Sequence, residues 1–220
     1  MLLIEMSGSN GFTLPVLTAA EPADRLDRRF FARPADLVAR ELIGCSLIFK
    51  GVGGVIVETE AYDDQDPASH SARGPTARNR SMFGPPGHAY LYRSYGLHWC
   101  FNIVCGVSPG AGVLVRALHP VTGIIAMRQR RGDGPDTKLC AGPGRLCAAL
   151  GLDGAWDGHD LSQPPFALLA ATERQDVLAG PRIGISRAVD VPWRFGLAGS
   201  PCLSRPFGRF VKLPPGDLAP

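Results

Sequence analysis

The sequence predicts an α+β fold, a single compact domain in which mainly antiparallel hairpins form a sheet flanked by helices. Three observations predict it. Segments with period-2 alternation are joined by short Gly-bearing turns. Stretches with helical spacing begin at Pro34, Pro120 and Pro143, where a residue without an N–H is tolerated. The 220 residues, 45% apolar and 20% charged, can bury one full core, and they contain no internal repeat.

Residues 1–25 mix Ser, Gly, Asn and Pro without sustained periodicity and are expected to form a loosely ordered arm before the domain, residues 26–220. After Pro34 the helix ADLVAREL presents Leu37, Val38, Leu42 and Ile43 to one side and Gly44 ends it. The strand CSLIF follows, then a Gly-rich turn over Lys50–Gly54, then the β-branched strand VIVETE. Period 2 places Ile56, Glu58, Glu60 and, on extension, Tyr62 on one face.

A strand from His88 to Tyr92 projects Tyr90 and Tyr92 to one side, and a second covers Leu97 to Val104. The turn between them, Arg93-Ser94-Tyr95-Gly96, sets Tyr95 at a hairpin tip. The strand GVLVRAL carries Arg116 among apolar neighbours, and Pro120 is expected to start the helix VTGIIAMRQRR, closed by Gly132. Pro143 opens GRLCAAL, and short strands are expected around 166–169, 182–186 and 194–197.

Composition excludes several classes. No apolar run is long enough to cross a membrane, and the first residues lack the charged and apolar regions of a secretion signal, so a cytoplasmic location is expected, nucleoid-associated when bound to DNA. The six cysteines have no C-x-x-C spacing and read as buried thiols; neither a metal nor an organic cofactor is implied. The formal net charge is +3, yet Arg greatly outnumbers the lysines Lys50, Lys138 and Lys212. Arg forks suit phosphate, and Arg73, Arg78 and Arg80 fall within the tyrosine-bearing run from Val55 to Tyr95.

That run carries the chemistry. Glu60, a carboxylate at a strand end beside aromatic rings, reads as a general base toward water or as half of an ion pair. Tyr62 and Tyr92 can stack a planar base and favour a cationic one, or can be core tyrosines with bonded hydroxyls. Tyr95 at an exposed tip can wedge into a base stack, offsetting the cost of extruding a nucleotide, or fold back on the surface. His70 and Asn102 supply polar groups able to read base edges, and Arg116 can orient the carboxylate or touch the sugar phosphate backbone. Arg78, Arg80 and Arg145, the last at a helix amino end, are candidate phosphate contacts or part of a solvated face.

ETEAY, then ASH, R-x-x-x-x-R-N-R-x-M-F, G-x-x-Y-x-Y-x-x-YG, C-x-N, VLVRAL-x-P, MRQ and LCAGPGRLC follow one another between about Arg29 and Ser204. In that order they resemble the alkyladenine (3-methyladenine) DNA glycosylase family. The resemblance implies a monofunctional enzyme of base excision repair that flips a damaged purine from duplex DNA and hydrolyses its N-glycosidic bond, leaving an abasic site. By match to the family's motifs, Glu60 corresponds to the water-activating base and Tyr62, His70 and Tyr92 line the base pocket, His70 also through its backbone. Asn102 matches the residue that crowds the guanine 2-amino group, Arg116 the pocket arginine and Tyr95 the intercalating aromatic. The implied sheet is curved, and a monomer is expected.

The chain departs from the family's pattern at Asp63, Asp64 and His119, where relatives carry a small or apolar residue, Gly and an acidic residue. These positions bear on the pocket rim and on one ion pair. Two other classes compete: a non-catalytic binder of damaged DNA, which would not need Glu60, and a hydrolase of free nucleosides, which would not need Tyr95 or the arginines. None of the three lysines lies in the motif run, which argues against Schiff-base chemistry and strand cleavage.

Overall fold

The computed structural model describes residues 25–214. The expected arm lies outside them except for Arg25, which bridges to Leu169. The domain opens with α1 (Arg28–Phe31), capped by the Asp27 carboxylate, which accepts from the backbone N–H groups of Arg29 and Phe30. Next is α2 (Ala35–Glu41), whose Val38 and Ala39 are buried against the sheet. Leu37, expected on the same side, is exposed.

The centre of the sheet is β2 (Val52–Tyr62), flanked along its length by β5 (Ala111–Thr122). Along its other edge β2 pairs first with β1 (Ser46–Phe49) and then, further along, with β8 (Arg194–Leu197). The remaining strands are β3 (Ala89–Ser94), β4 (His98–Cys105), β6 (Phe166–Leu169), β7 (Val177–Gly180) and β9 (Val211–Leu213). They give an open nine-stranded sheet of order β3-β4-β5-β2-β8-β7-β9, with β1 and β6 branching from β2. Every pairing is antiparallel. The expected α+β class and antiparallel hairpins are what the chain forms.

The helices α3 (Ile124–Arg131) and α4 (Pro143–Leu150) complete the core, with Met127, Leu146 and Leu150 fully or almost fully buried.

Several boundaries differ from expectation for physical reasons. The turn between β1 and β2 is only Lys50-Gly51, both at positive φ, so Gly53 and Gly54 belong to the strand. They are needed there, because a Cβ on Gly53 would lie 2.0 Å from the Leu47 carbonyl oxygen and one on Gly54 1.9 Å from that of His119. Pro120 does not start a helix. It lies opposite Gly54 at a register shift in β5, where the missing N–H does little harm, and α3 starts after Gly123 at φ 70°.

Residues 182–186 are not a strand. The strand precedes them as β7, and Pro181, the buried Arg182 and Gly184 at positive φ end the pairing.

The β2–β5 ladder is also irregular around Glu58. Ile56 opposes Leu118, Glu58 opposes Ala117 and Thr59 opposes Val115, which leaves Arg116 without a directly opposed residue. Such bulges bend a sheet and re-aim side chains. Ile56 joins the apolar core, while Glu58 and Glu60 both meet Arg116.

Gly54→Ala is expected to lose more than about 4 kcal/mol in urea denaturation, since the clash is with backbone that cannot move aside. Gly134→Ala, which meets nothing within 4 Å, should stay within about 0.5 kcal/mol of the parent.

Candidate active site

The end of β2 supplies two carboxylates, each with 0% exposure. Glu58 accepts from Arg116 Nε (3.0 Å), Arg194 Nε (2.8 Å), and the Ser204 hydroxyl (2.8 Å) and backbone N–H (2.5 Å). Glu60 accepts from the Tyr62 hydroxyl (2.9 Å) and Arg116 Nη1 (3.1 Å) on Oε2, and from the Ile183 backbone N–H (2.7 Å) on Oε1.

Glu58 takes four donors and does not line the cleft, while Glu60 lines it, takes three and keeps an acceptor position open on Oε1. Arg116 also donates through Nη2 to the Ser204 hydroxyl at 3.3 Å, so each of its three guanidinium nitrogens donates to a protein group. Burial works against its charge, but Glu60 and Glu58 outweigh that and hold its pKa above the ordinary arginine value.

Above these carboxylates lies a cleft of about 1150 Å³ lined by Glu60, Tyr62, His70, Arg78, Tyr92, Tyr95, Asn102 and Arg116, among others. It therefore unites eight of the ten residues singled out in the sequence. Arg80 and Arg145 are exposed outside its lining, although Pro143 at the start of α4 reaches it.

The aromatic wall comes from β3. Tyr90 and Tyr92 stack at 5.6 Å between centroids, and the His70 ring stands edge-on to Tyr92 at 4.4 Å. Burial raises the pKa of both tyrosines, that of Tyr90 to about 12, so their hydroxyls stay protonated. Burial, then the neighbouring charge of Glu60, likewise raises that of Tyr62, which remains a donor to the carboxylate. Asn102 on β4 donates to the Tyr90 carbonyl at 3.0 Å.

His70 sits on the long loop between β2 and β3. Its Nδ1 lies 2.9 Å from the Tyr90 hydroxyl, and its carbonyl accepts from Asn79 at 2.8 Å. Asn79 is buried and also accepts from the Thr76 backbone N–H at 2.6 Å, so one amide side chain shapes the loop. Arg78 donates to the Arg93 carbonyl at 2.7 Å, tying this loop to the hairpin.

At the hairpin tip Tyr95 (φ 51°) and Gly96 (φ 70°) form a two-residue turn closed by the bond from Leu97 N–H to the Ser94 carbonyl at 3.0 Å. Tyr95 is 91% exposed, which excludes the folded-back arrangement.

Asp63 and Asp64 lie in a local turn held by Gln65. Asp64 lines the cleft. His119, on β5, lies with Nδ1 3.4 Å from Cys202 Sγ. Among the described residues no three His, Cys, Asp or Glu side chains are grouped to hold a metal ion. No helix among them is long and apolar enough to cross a membrane.

Sequence reading missed the partners that come from far along the chain: Arg194, Ser204, Ile183, and the buried pair of Asp66 with Arg182. Only the isolated arginines inside apolar strands were a local signal for them.

The fold and the cleft bring together most of the residues by which the sequence resembles a DNA glycosylase family. The comparisons agree. Residues 29–201 match the methylpurine-DNA glycosylase (MPG) family, and the chain belongs to it. It is thus a DNA glycosylase of base excision repair, a hydrolase of N-glycosidic bonds.

A protein of Nitrosospira multiformis is 61% identical over 171 residues, covering 77% of this chain and 89% of its own length. One from Nitrobacter winogradskyi is 57% identical over 183 residues, with 83% and 88% covered. One from Granulibacter bethesdensis is 56% identical over 192 residues, with 86% and 89% covered. Each is named provisionally as a 3-methyladenine DNA glycosylase.

Burial, with the charge of Arg78, lowers the His70 pKa below its ordinary 6.5, and burial does the same for His119. A depressed pKa stabilises the fold above the unfolded value and loses that contribution as pH falls through the folded one. The His70 ring should therefore titrate below 6.5 by NMR. Melting temperature should decline on acidification from pH 6.5, less steeply in a His70→Gln variant.

Proposed function

We propose that the protein flips alkylated or deaminated purines, such as 3-methyladenine, out of duplex DNA and hydrolyses the N-glycosidic bond, leaving an abasic site. The observation that carries this reading is Glu60: fully buried, held by three donors, and lining the cleft with one acceptor position open. A carboxylate so held at the floor of the cleft suits the capture of a single water rather than contact with bulk solvent.

In this reading the damaged base enters between Tyr62 and the Tyr92–His70 wall, and Asn102 crowds the 2-amino group of guanine. The names of the relatives support 3-methyladenine as one substrate. Alkylation at N3 or N7 makes the purine cationic, so it leaves as a neutral base when it takes the electron pair of the breaking C1′–N bond. The water oxygen bonds to C1′ and its proton passes to Glu60. Arg116, which donates to Glu58, Glu60 and Ser204, orients the carboxylate.

Tyr95 fills the space that the base vacates. Arg78 lies at the cleft beside the DNA backbone, with Arg80 and Arg145 as outer phosphate contacts. In this reading the protein acts as a monomer.

Two experiments test the reading. Glu60→Gln should abolish single-turnover release of methylpurine from methylated duplex DNA while keeping lesion binding; release at the parental rate would refute the role of Glu60. Tyr95→Ser should leave melting temperature unchanged, because the side chain is exposed, and weaken binding of lesion duplex by about 5- to 150-fold, corresponding to about 1–3 kcal/mol of lost stacking.

A further inference from the structure

We propose that Arg182, paired with Asp66, is a positioning residue that locks the catalytic carboxylate and the base-stacking wall to each other; this rests on the reading of Glu60 as the water-activating base. Both side chains are buried, at 0% and 1% exposure. They form a two-pronged pair, Arg182 Nη1 to Asp66 Oδ2 and Nη2 to Asp66 Oδ1 at 3.1 Å. Neither residue lines the cleft. They stand behind it.

Four partners meet at this one guanidinium: Asp66, the Ala61 carbonyl, and the Tyr62 and Trp193 rings. Nη1 also donates to the Ala61 carbonyl at 2.9 Å, between Glu60 and Tyr62 on β2. The guanidinium lies over the Tyr62 ring at 4.7 Å and the Trp193 ring at 5.5 Å. The next residue along the chain is Ile183, whose N–H holds Glu60 Oε1. Asp66 accepts from the Ala68 N–H at 2.9 Å through its side chain and from the Ser69 N–H at 2.9 Å through its carbonyl, which builds the turn that delivers His70.

The carboxylate, the stacking ring and the loop bearing His70 thus share one anchor. A planar five-donor fork can hold such an arrangement; an ammonium cannot.

The test uses Arg182→Lys, which keeps the charge without the fork, and Asp66→Asn, which keeps the shape without the charge. Melting temperature, active fraction, saturating single-turnover base release and affinity for a duplex carrying a tetrahydrofuran abasic analogue are measured for each, beside the parent and Glu60→Gln. The analogue has no base, so its binding does not sense the stacking wall.

The expected result is release slowed by about tenfold to a hundredfold, as for a displaced catalytic group, with analogue affinity and active fraction at parental values. Unchanged release per folded molecule with a lower melting temperature would overturn the proposal, as would failure of both variants to fold, which would make the pair a folding element. If the parent releases no methylpurine, or Glu60→Gln releases it normally, the reading of Glu60 falls instead, so the two failures are distinguishable.

Discussion

The structure depends on a buried ionic lattice in which Arg116 is held between Glu58 and Glu60. Taking two carboxylates fully out of water costs several kcal/mol per ion, and removing one partner from such an arrangement costs about 3–5 kcal/mol because the other charge is stranded. The lattice persists because its geometry is complete: Arg194 supplies the second positive charge, and Ser204 and Ile183 supply backbone N–H groups. Those donors come from segments more than a hundred residues after β2. Folding of the sheet's later half is therefore tied to the assembly of the site, and a chain that misplaced β8 would leave Glu58 short of Arg194.

The same lattice separates two roles for two carboxylates only one residue apart. Glu58 takes four donors away from the cleft, while Glu60 lines the cleft, takes three donors and retains an open acceptor position on Oε1. Environment, not residue type, makes the distinction, and it arises from the bulge that leaves Arg116 unopposed in the β2–β5 ladder. In the proposed reaction a cationic purine already leaves readily, so one well-placed carboxylate and a shielded water are sufficient; the rigid support around Glu60 supplies that placement.

Much of this was legible in the chain. Period-2 alternation put Glu58, Glu60 and Tyr62 on a common face, and the Gly96 turn put Tyr95 at a tip, because both signals are local. Pro120 misled, since a proline looks the same at a strand bulge as at a helix start, and only the approach of Gly54 from another strand distinguishes them. Residues 182–186 misled for a related reason. Their apolar alternation resembles a strand, but Arg182 is drawn into a pair with Asp66, 116 positions away, which no periodicity records. The role of Arg194 was hidden in the same way: strand position follows from pattern, while ion-pair partners follow from topology.

The hairpin shows how this fold supports an exposed aromatic. A turn of this type needs positive φ at both central residues, which Gly or Asn adopts readily and Tyr does not, at a cost of roughly 1–3 kcal/mol. Tyr95 occupies that position at φ 51° with almost its entire surface in solvent, so neither local propensity nor burial accounts for it. The hairpin is braced below the tip by Arg78 on the Arg93 carbonyl, by the Arg93 guanidinium over the Trp99 ring at 5.4 Å, and by Asp157, which accepts from the Leu91 N–H at 2.8 Å. A braced stem under a strained, solvated tip suits the wedge proposed for Tyr95: the ordering cost is met within the free protein, and contact with DNA then would not have to supply it.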